Sequence, residues 1–336
     1  MVKPIVNITA DSGIPLIGSV GFGLIDRGTN VVQVRPTSIC PLSCIFCSTD
    51  AGPKSLRRAV EYTVELEYLI EGFRKLVEFK NCKHIEAHID TVGDPLTYLK
   101  LPELCQALRE TSNVETVSLQ THGFLLTEEL VDDLEAAGLT RINLSIDSLN
   151  PDKAKMLSGT ENYDVDRIVE MAKYITQSKI DLLIAPVWVP GINDDDIERI
   201  IQLALEIKAG KHAPPLGIQK MLTHKHGRKP KGVKPMSWKV FYGKLRSLEN
   251  VYKVKLILSP EDFGIHKCRE LPTIFRKFEK VWIEVVGLGL FKREKLGVAR
   301  GRVLTIVDID EAPVGSKIRV RVLRVKNNIY MARFEP

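Results

Sequence analysis

The stretch "SICPLSCIFCSTDAG", residues 38–52, places Cys40, Cys44 and Cys47 within eight positions of a chain that has six cysteines in all. It follows "TNVVQVRP", whose β-branched residues predict a strand ending at Pro36. The N-terminus "MVKPIVNITADSG" lacks the charged-then-apolar pattern of a secretory signal. A cytoplasmic location is therefore expected, where thiols stay reduced and clustered cysteines mean metal or chemistry rather than disulfides. Three thiolates suit three irons of a [4Fe–4S] cluster, leaving a fourth iron open. Structural zinc wants four N or S ligands, and the nearest histidines, His84 and His88, lie on a different element.

Outward from this loop, strand-like and helix-like segments alternate. "EYTVELEYLIEGFRKLVEF" has helical spacing, "CKHIEAHID" reads as a strand and "LPELCQALRET" as a helix. "VETVSLQTHG", "RINLSID", "IDLLIAPVWVPG" and "LGIQKML" read as further strands. The helices between them include "LTEELVDDLEAAG", with Thr127 as its N-cap. Six such units over residues 30–222 predict an α/β fold with a parallel sheet, a partial (β/α)6 TIM-like barrel. Residues 1–29 read as an N-terminal extension closed by a hairpin at "IDRGTN". The longest apolar runs are strand-length and broken by proline, so no membrane span is expected.

Residues 223–275 differ in character, with a basic linker followed by the helical "WKVFYGKLRSLENVY". Nine Lys or Arg and no Asp or Glu lie between Lys220 and Arg246. From residue 276 to 336 the text consists of short alternating runs separated by turn residues, which predicts a small all-β barrel of the OB sort. Lys317, Arg319 and Arg321 alternate along one of these strands, with Arg324 just beyond, and would present positive charge to phosphates. The net charge of +6 is modest, so its distribution carries more meaning than its total.

Cys-x3-Cys-x2-Cys with Phe46 before the last cysteine, on the loop after the first strand of such a series, resembles the radical S-adenosylmethionine (SAM) superfamily. The resemblance covers residues 28–222. It implies that Cys40, Cys44 and Cys47 ligate the cluster and that its open iron chelates SAM. SAM would then be cleaved to methionine and a 5′-deoxyadenosyl radical that takes a hydrogen atom from substrate. Gly93, Asp94 and Pro95 stand where relatives carry a Gly-Gly-Glu-Pro motif that meets the SAM amino group, with Val92 replacing the first glycine. Ser145 and Asp147 resemble the residues that meet the SAM carboxylate and ribose. Thr121 and His122 stand where relatives often carry Thr-Asn. Val189 lies where backbone groups often touch adenine. Turn and capping chemistry explains several of these residues equally well. All lie at C-terminal strand ends, where barrels of this kind place their chemistry.

The last 57 or so residues resemble a TRAM domain, a small barrel appended to RNA-modifying enzymes. Together the two resemblances imply an enzyme similar to archaeal-type RNA-modifying radical SAM proteins. It would act on a nucleoside in RNA, with tRNA as the expected substrate, and need a donor such as ferredoxin or flavodoxin. Base methylation and other radical alterations stay open. Methylthiolation is disfavoured, because residues 1–29 contain no cysteine for a second cluster domain. A protein or small-molecule substrate is the alternative, and a non-catalytic RNA-binding protein with a structural metal is a third reading. Cys268, flanked by His266, Lys267 and Arg269, is expected to act covalently near the cavity or to bind an additional metal; ordinary burial of a free cysteine is the competing reading.

Overall fold

A computed structural model describes residues 3–335. Its largest sheet has six strands: β1 (Gly23–Asp26), β2 (Val31–Arg35), β3 (Ile85–Ile89), β4 (Val114–Thr121), β5 (Arg141–Leu144) and β6 (Asp181–Ile184). They neighbour one another in chain order. β1 pairs antiparallel with β2, so the expected hairpin forms, and every later pair is parallel. Chain-order neighbours joined by helical crossovers are the arrangement of an incomplete β/α barrel. β6 is buried along its whole length, as a strand covered on both faces should be.

Helices α1 (Leu66–Lys80), α2 (Leu101–Arg109), α3 (Glu128–Ala136), α4 (Pro151–Ser158), α5 (Val165–Gln177), α6 (Asp194–Glu206) and α7 (Trp238–Tyr252) complete this part. Side-chain caps start several of them. Thr127 accepts from Leu130 N, Asp164 from Arg167 N and Ser237 from Val240 N.

Two expectations need correction. Glu61–Val64 is not the start of a helix but a strand, paired in parallel with Ile5–Ile8. Tyr62, Thr63 and Val64 are strand formers, and a partner supplied by the distant N-terminus overrides the helical spacing. The sixth expected strand is short. Leu216 bridges to Ile184, and only Gln219–Lys220 pairs further on, with Val187–Trp188. No helix among the described residues is long and apolar enough to cross a membrane.

The C-terminal strands form a closed five-stranded barrel: β7 (Lys280–Leu288), β8 (Glu294–Ala299), β9 (Arg302–Val307), β10 (Lys317–Arg324) and β11 (Met331–Phe334). Its order is β7-β8-β9-β11-β10, closing back to β7. Inward residues such as Val281, Ile283, Val320 and Ala332 form a core of their own, joined by Phe275 and Tyr330.

This barrel is docked directly on the larger unit. Tyr62 Oη donates to Leu288 O at 2.7 Å, and Ala59 N donates to Leu290 O at 2.9 Å. On another side, Tyr330 N donates to Gly18 O at 3.0 Å. Gly18 has φ +129°, and a Cβ there would lie 2.0 Å from Val303 O, so only glycine lets the chains approach this closely. Leu290, Phe291, Leu296 and Val303 belong to the core of the larger unit, which makes the joint apolar as well as hydrogen-bonded.

Glu294 sits at this joint, 7% exposed, accepting from Phe291 N at 3.2 Å. Burial raises its carboxyl to about 7 from the ordinary 4.5. The folded chain thus holds a proton that the unfolded chain releases earlier. This contribution to stability is intact below 4.5 and is lost as pH rises to about 7. A Glu294→Gln chain has no such loss. Its melting temperature relative to the natural chain should climb between about pH 5 and about pH 8. Calorimetry across that range checks this, and a constant difference would contradict it.

Candidate active site

The loops leaving the C-terminal ends of the parallel strands enclose a cavity of about 620 Å³. The three cysteines of the loop after β2 line it, with Phe46 beside them. Cys44 is buried, while Cys40 and Cys47 are half-buried. Burial, with Asp94 second, pushes the Cys40 thiol up, and burial pushes up that of Cys44. Isolated thiolates are therefore disfavoured here, and a bound cation would relieve the cost.

Two arginines hold this loop. Arg58 has a fully buried side chain and uses all five of its N–H donors. Nη1 reaches Ser38 O and the Glu61 carboxylate, both at 2.7 Å, and Nε reaches Thr49 O at 3.0 Å. Nη2 donates to Thr49 Oγ1 at 2.8 Å and to Val92 O. Arg228 grips the other side: its N donates to Cys47 O and its Nη1 to Cys44 O, at 2.8 and 2.7 Å. Its Nε pairs with Asp50 at 2.8 Å. The basic segment expected to be a linker thus packs, at Gly227 and Arg228, against the cysteine loop.

The loop after β3 abuts the same region. Asp94 N donates to Ile39 O at 2.8 Å, and a Cβ on Gly93 would lie 2.1 Å from that oxygen, which accounts for the glycine. The Asp94 carboxylate turns inward. It accepts from Leu96 N, from Thr121 Oγ1 and from His122 N, at 3.1, 2.8 and 3.1 Å. Asp94 thereby ties the ends of β3 and β4 together.

His122 joins the cysteines to the end of β5. Its Nε2 lies 3.9 Å from Cys44 Sγ and its Nδ1 3.8 Å from Asp147 Oδ2. Asp147 accepts from Val187 N at 2.8 Å, and burial raises its carboxyl, opposed by His122. Ser145 faces the cavity and accepts from Gln120 Nε2 at 2.9 Å. Deeper in, Arg35 and Asp90 pair at 3.2 Å, and His88 meets Ser118 Oγ at 2.7 Å with its pKa lowered by burial. The cavity therefore has a sulfur-lined end and a polar interior.

The profile of the radical SAM superfamily matches residues 34–204, the segment that builds these loops. The chain belongs to that superfamily. It is 44% identical, over 97% of its length and 80% of the relative's, to an uncharacterized protein of Methanocaldococcus jannaschii. It is 30% identical to a GTP 3′,8-cyclase of Desulforamulus reducens, and spans about half that relative's length, 54% of each chain being covered. Among solved structures it resembles SuiB of Streptococcus suis, with a TM-score of 0.50 at 16% identity, covering 73% of this chain and 50% of that one. That likeness speaks to the fold alone.

The protein is a radical SAM enzyme whose cofactors are a [4Fe–4S] cluster and SAM. The donor set fits them: three soft thiols meet in one cavity, which is large enough to admit a further ligand beside them. When bound, these groups supply a strongly reactive organic radical on receipt of an electron from an external reductant. Cys40, Cys44 and Cys47 would hold the cluster. Phe46, Gly93, Asp94, Thr121 and Ser145 also line the cavity. Arg58 and Arg228 fix the loop, and the protein's part is to hold and orient these groups.

Three expected cofactor residues do not line the cavity. Pro95 is buried in the turn after Asp94. Asp147 stands behind His122, and Val189 is buried with its N–H bound by Asn193 Oδ1 at 2.8 Å. Cys268 requires the larger correction. It is paired with Cys82, which precedes β3, at the N-terminal end of the strands and outside the cavity. The segment after α7 returns beneath the sheet rather than over the cavity mouth, and a catalytic role for Cys268 is set aside. Arg58 and Arg228, by contrast, escaped sequence reading because nothing in their spacing marks them.

Cys40→Ala, Cys44→Ala and Cys47→Ala should each abolish retention of the cluster. Arg58→Met leaves Glu61 buried without its partner, which costs about 3–5 kcal/mol. Iron content should fall in that variant as well, even with all cysteines present. Iron analysis after anaerobic reconstitution checks both; full occupancy in Arg58→Met would show that the guanidinium is dispensable.

Proposed function

We propose that this enzyme modifies a nucleoside within RNA, with tRNA as the substrate, with Cys40, Cys44 and Cys47 as its cluster ligands. The observation that carries the proposal is the outer face of β7 and β10. Trp282 is 66% exposed there and lies directly across from Arg319, between the cross-strand pairs Lys280–Arg321 and Glu284–Lys317. An exposed aromatic among basic residues is the usual equipment for stacking a base and holding its phosphates. Arg321 and Lys280 share Glu335, so part of this charge is already engaged. The five-stranded closure supports an OB or TRAM type of barrel.

The docking of the small barrel supports the same reading. The small barrel rests on residues 57–62, which also carry Arg58, and His226 of the basic segment stacks on Phe291 at 4.3 Å. RNA held on that face would be kept in fixed relation to the cavity, whose rim includes Lys220 and His224. Base methylation is one candidate chemistry and makes the enzyme a transferase. Ferredoxin or flavodoxin is the fitting reductant, in a cytoplasm that keeps thiols reduced.

A second reading has its own support. The relatives described as GTP 3′,8-cyclases match about half of this chain, 53–54% of it, and a free nucleotide or other small molecule would also suit the polar interior. Mass spectrometry of RNA nucleosides from a deletion strain and its parent separates the two: the RNA reading expects one nucleoside to be missing or unmodified. Identical profiles would favour the small-molecule reading. For the purified enzyme, Trp282→Ala should weaken tRNA binding by about 1–3 kcal/mol, the worth of one stacked base. Uncoupled SAM cleavage should stay unchanged. Binding measured at fixed salt tests this, and unaltered affinity would remove the barrel face from the proposal.

A further inference from the structure

A group of metal-binding side chains lies at the end of the sheet away from the cavity. Cys82 and His84 stand on the loop that enters β3, and His266 and Cys268 on the segment that returns beneath it. The two halves read Cys-x-His and His-x-Cys. His266 and Cys268 flank Lys267, which bridges antiparallel to Thr29, and residues two apart on such extended chain point the same way. Ligand atoms of Cys82, His266 and Cys268 already lie within 4.8 Å of one another, with Cys82 Sγ 3.6 Å from His266 Nε2. The His84 and His266 rings are 6.5 Å apart, and the His84 side chain is largely exposed.

We propose that Cys82, His84, His266 and Cys268 form a tetrahedral zinc site. Two thiolates and two imidazoles are a common structural zinc set. Glu115 meets His84 Nδ1 at 2.6 Å, which leaves Nε2 for metal and supplies the carboxylate partner that zinc-bound histidines usually have.

Asn30 pre-forms the site. Its side chain donates to His84 O at 2.8 Å and to Gly264 O at 3.2 Å, and accepts from His266 N at 2.9 Å. Cys268 N donates to Gly28 O at 2.9 Å. One buried amide thus clamps both ligand-bearing segments to the same hairpin. His84 is also held at φ +54°, a backbone region that non-glycine residues rarely occupy and that a preorganised site can justify.

The two sulfurs are paired in the structure, and a Cα separation of 6.1 Å suits a disulfide. It also suits two ligands of one metal. This enzyme works only where a strong reductant can reach its cluster, and a partly exposed disulfide is the labile kind, readily reduced to two thiols by such a reductant. Binding would balance simply: Zn²⁺ displaces one proton from each thiol, two protons pass to solvent, and no electron is transferred. The metal would fasten the return segment to the underside of the sheet just ahead of the small barrel.

The test uses the full chain isolated anaerobically with a thiol reductant. Elemental analysis should find about one zinc per chain, and X-ray absorption should show two sulfur neighbours at ~2.3 Å with two nitrogens. Cobalt added in place of zinc should give the visible bands of a tetrahedral sulfur-ligated site. Those bands should survive in the Cys40→Ala/Cys44→Ala/Cys47→Ala chain and vanish in Cys82→Ser/Cys268→Ser. Glu115→Ala, which removes the carboxylate partner of His84, should weaken zinc binding about tenfold or more. A metal-free natural chain, a metal bound only by the cluster cysteines, or a Cys82–Cys268 peptide disulfide surviving the reductant would each overturn the proposal.

Discussion

The loop from Cys40 to Gly52 has no ladder of its own, so its carbonyls must be satisfied from outside. Two guanidinium groups supply a share of this from distant positions. Arg58 takes the oxygens of Ser38 and Thr49, and Arg228 takes those of Cys44 and Ala51. A planar fork of donors matches several carbonyls at once, which a lysine cannot do. The placement of three sulfurs, and with it the shape of the cofactor cavity, depends on these contacts.

The same contacts join parts that are distant in sequence. Arg58 also reaches Val92 O, on the loop after β3. Its neighbours Arg57 and Ala59 make backbone hydrogen bonds to Lys292 and Leu290 of the small barrel. Arg228 brings the basic segment against the cysteines. The small barrel is consequently braced against the support of the catalytic loop.

Much of this was legible in the sequence because it rests on local rules. Alternation gave the strands their place, capping residues such as Thr127 started helices, and the spacing of Cys40, Cys44 and Cys47 announced a soft-metal site. What was not legible depends on partners far along the chain. Glu61–Val64 reads by spacing as the start of a helix until Ile5–Ile8 is known to lie beside it. Arg58 and Arg228 look like any surface arginine until their acceptors are seen. Cys268 looked like a cavity residue because the sequence does not say on which end of the sheet a returning segment passes. Asp94 stands at the expected position, yet its carboxylate serves Thr121 and His122, a choice set by the packing of two loops.

The central claim is that three cysteines held by this frame leave one iron of the cluster open to SAM. The most direct measurement is electron–nuclear double resonance on the reduced cluster with SAM labelled at its amino nitrogen and carboxylate. Magnetic coupling of both labels to the cluster is the predicted result, with the unlabelled complex as reference. A cluster that shows neither coupling while SAM is bound, or one whose fourth iron carries a protein sulfur, would contradict the account.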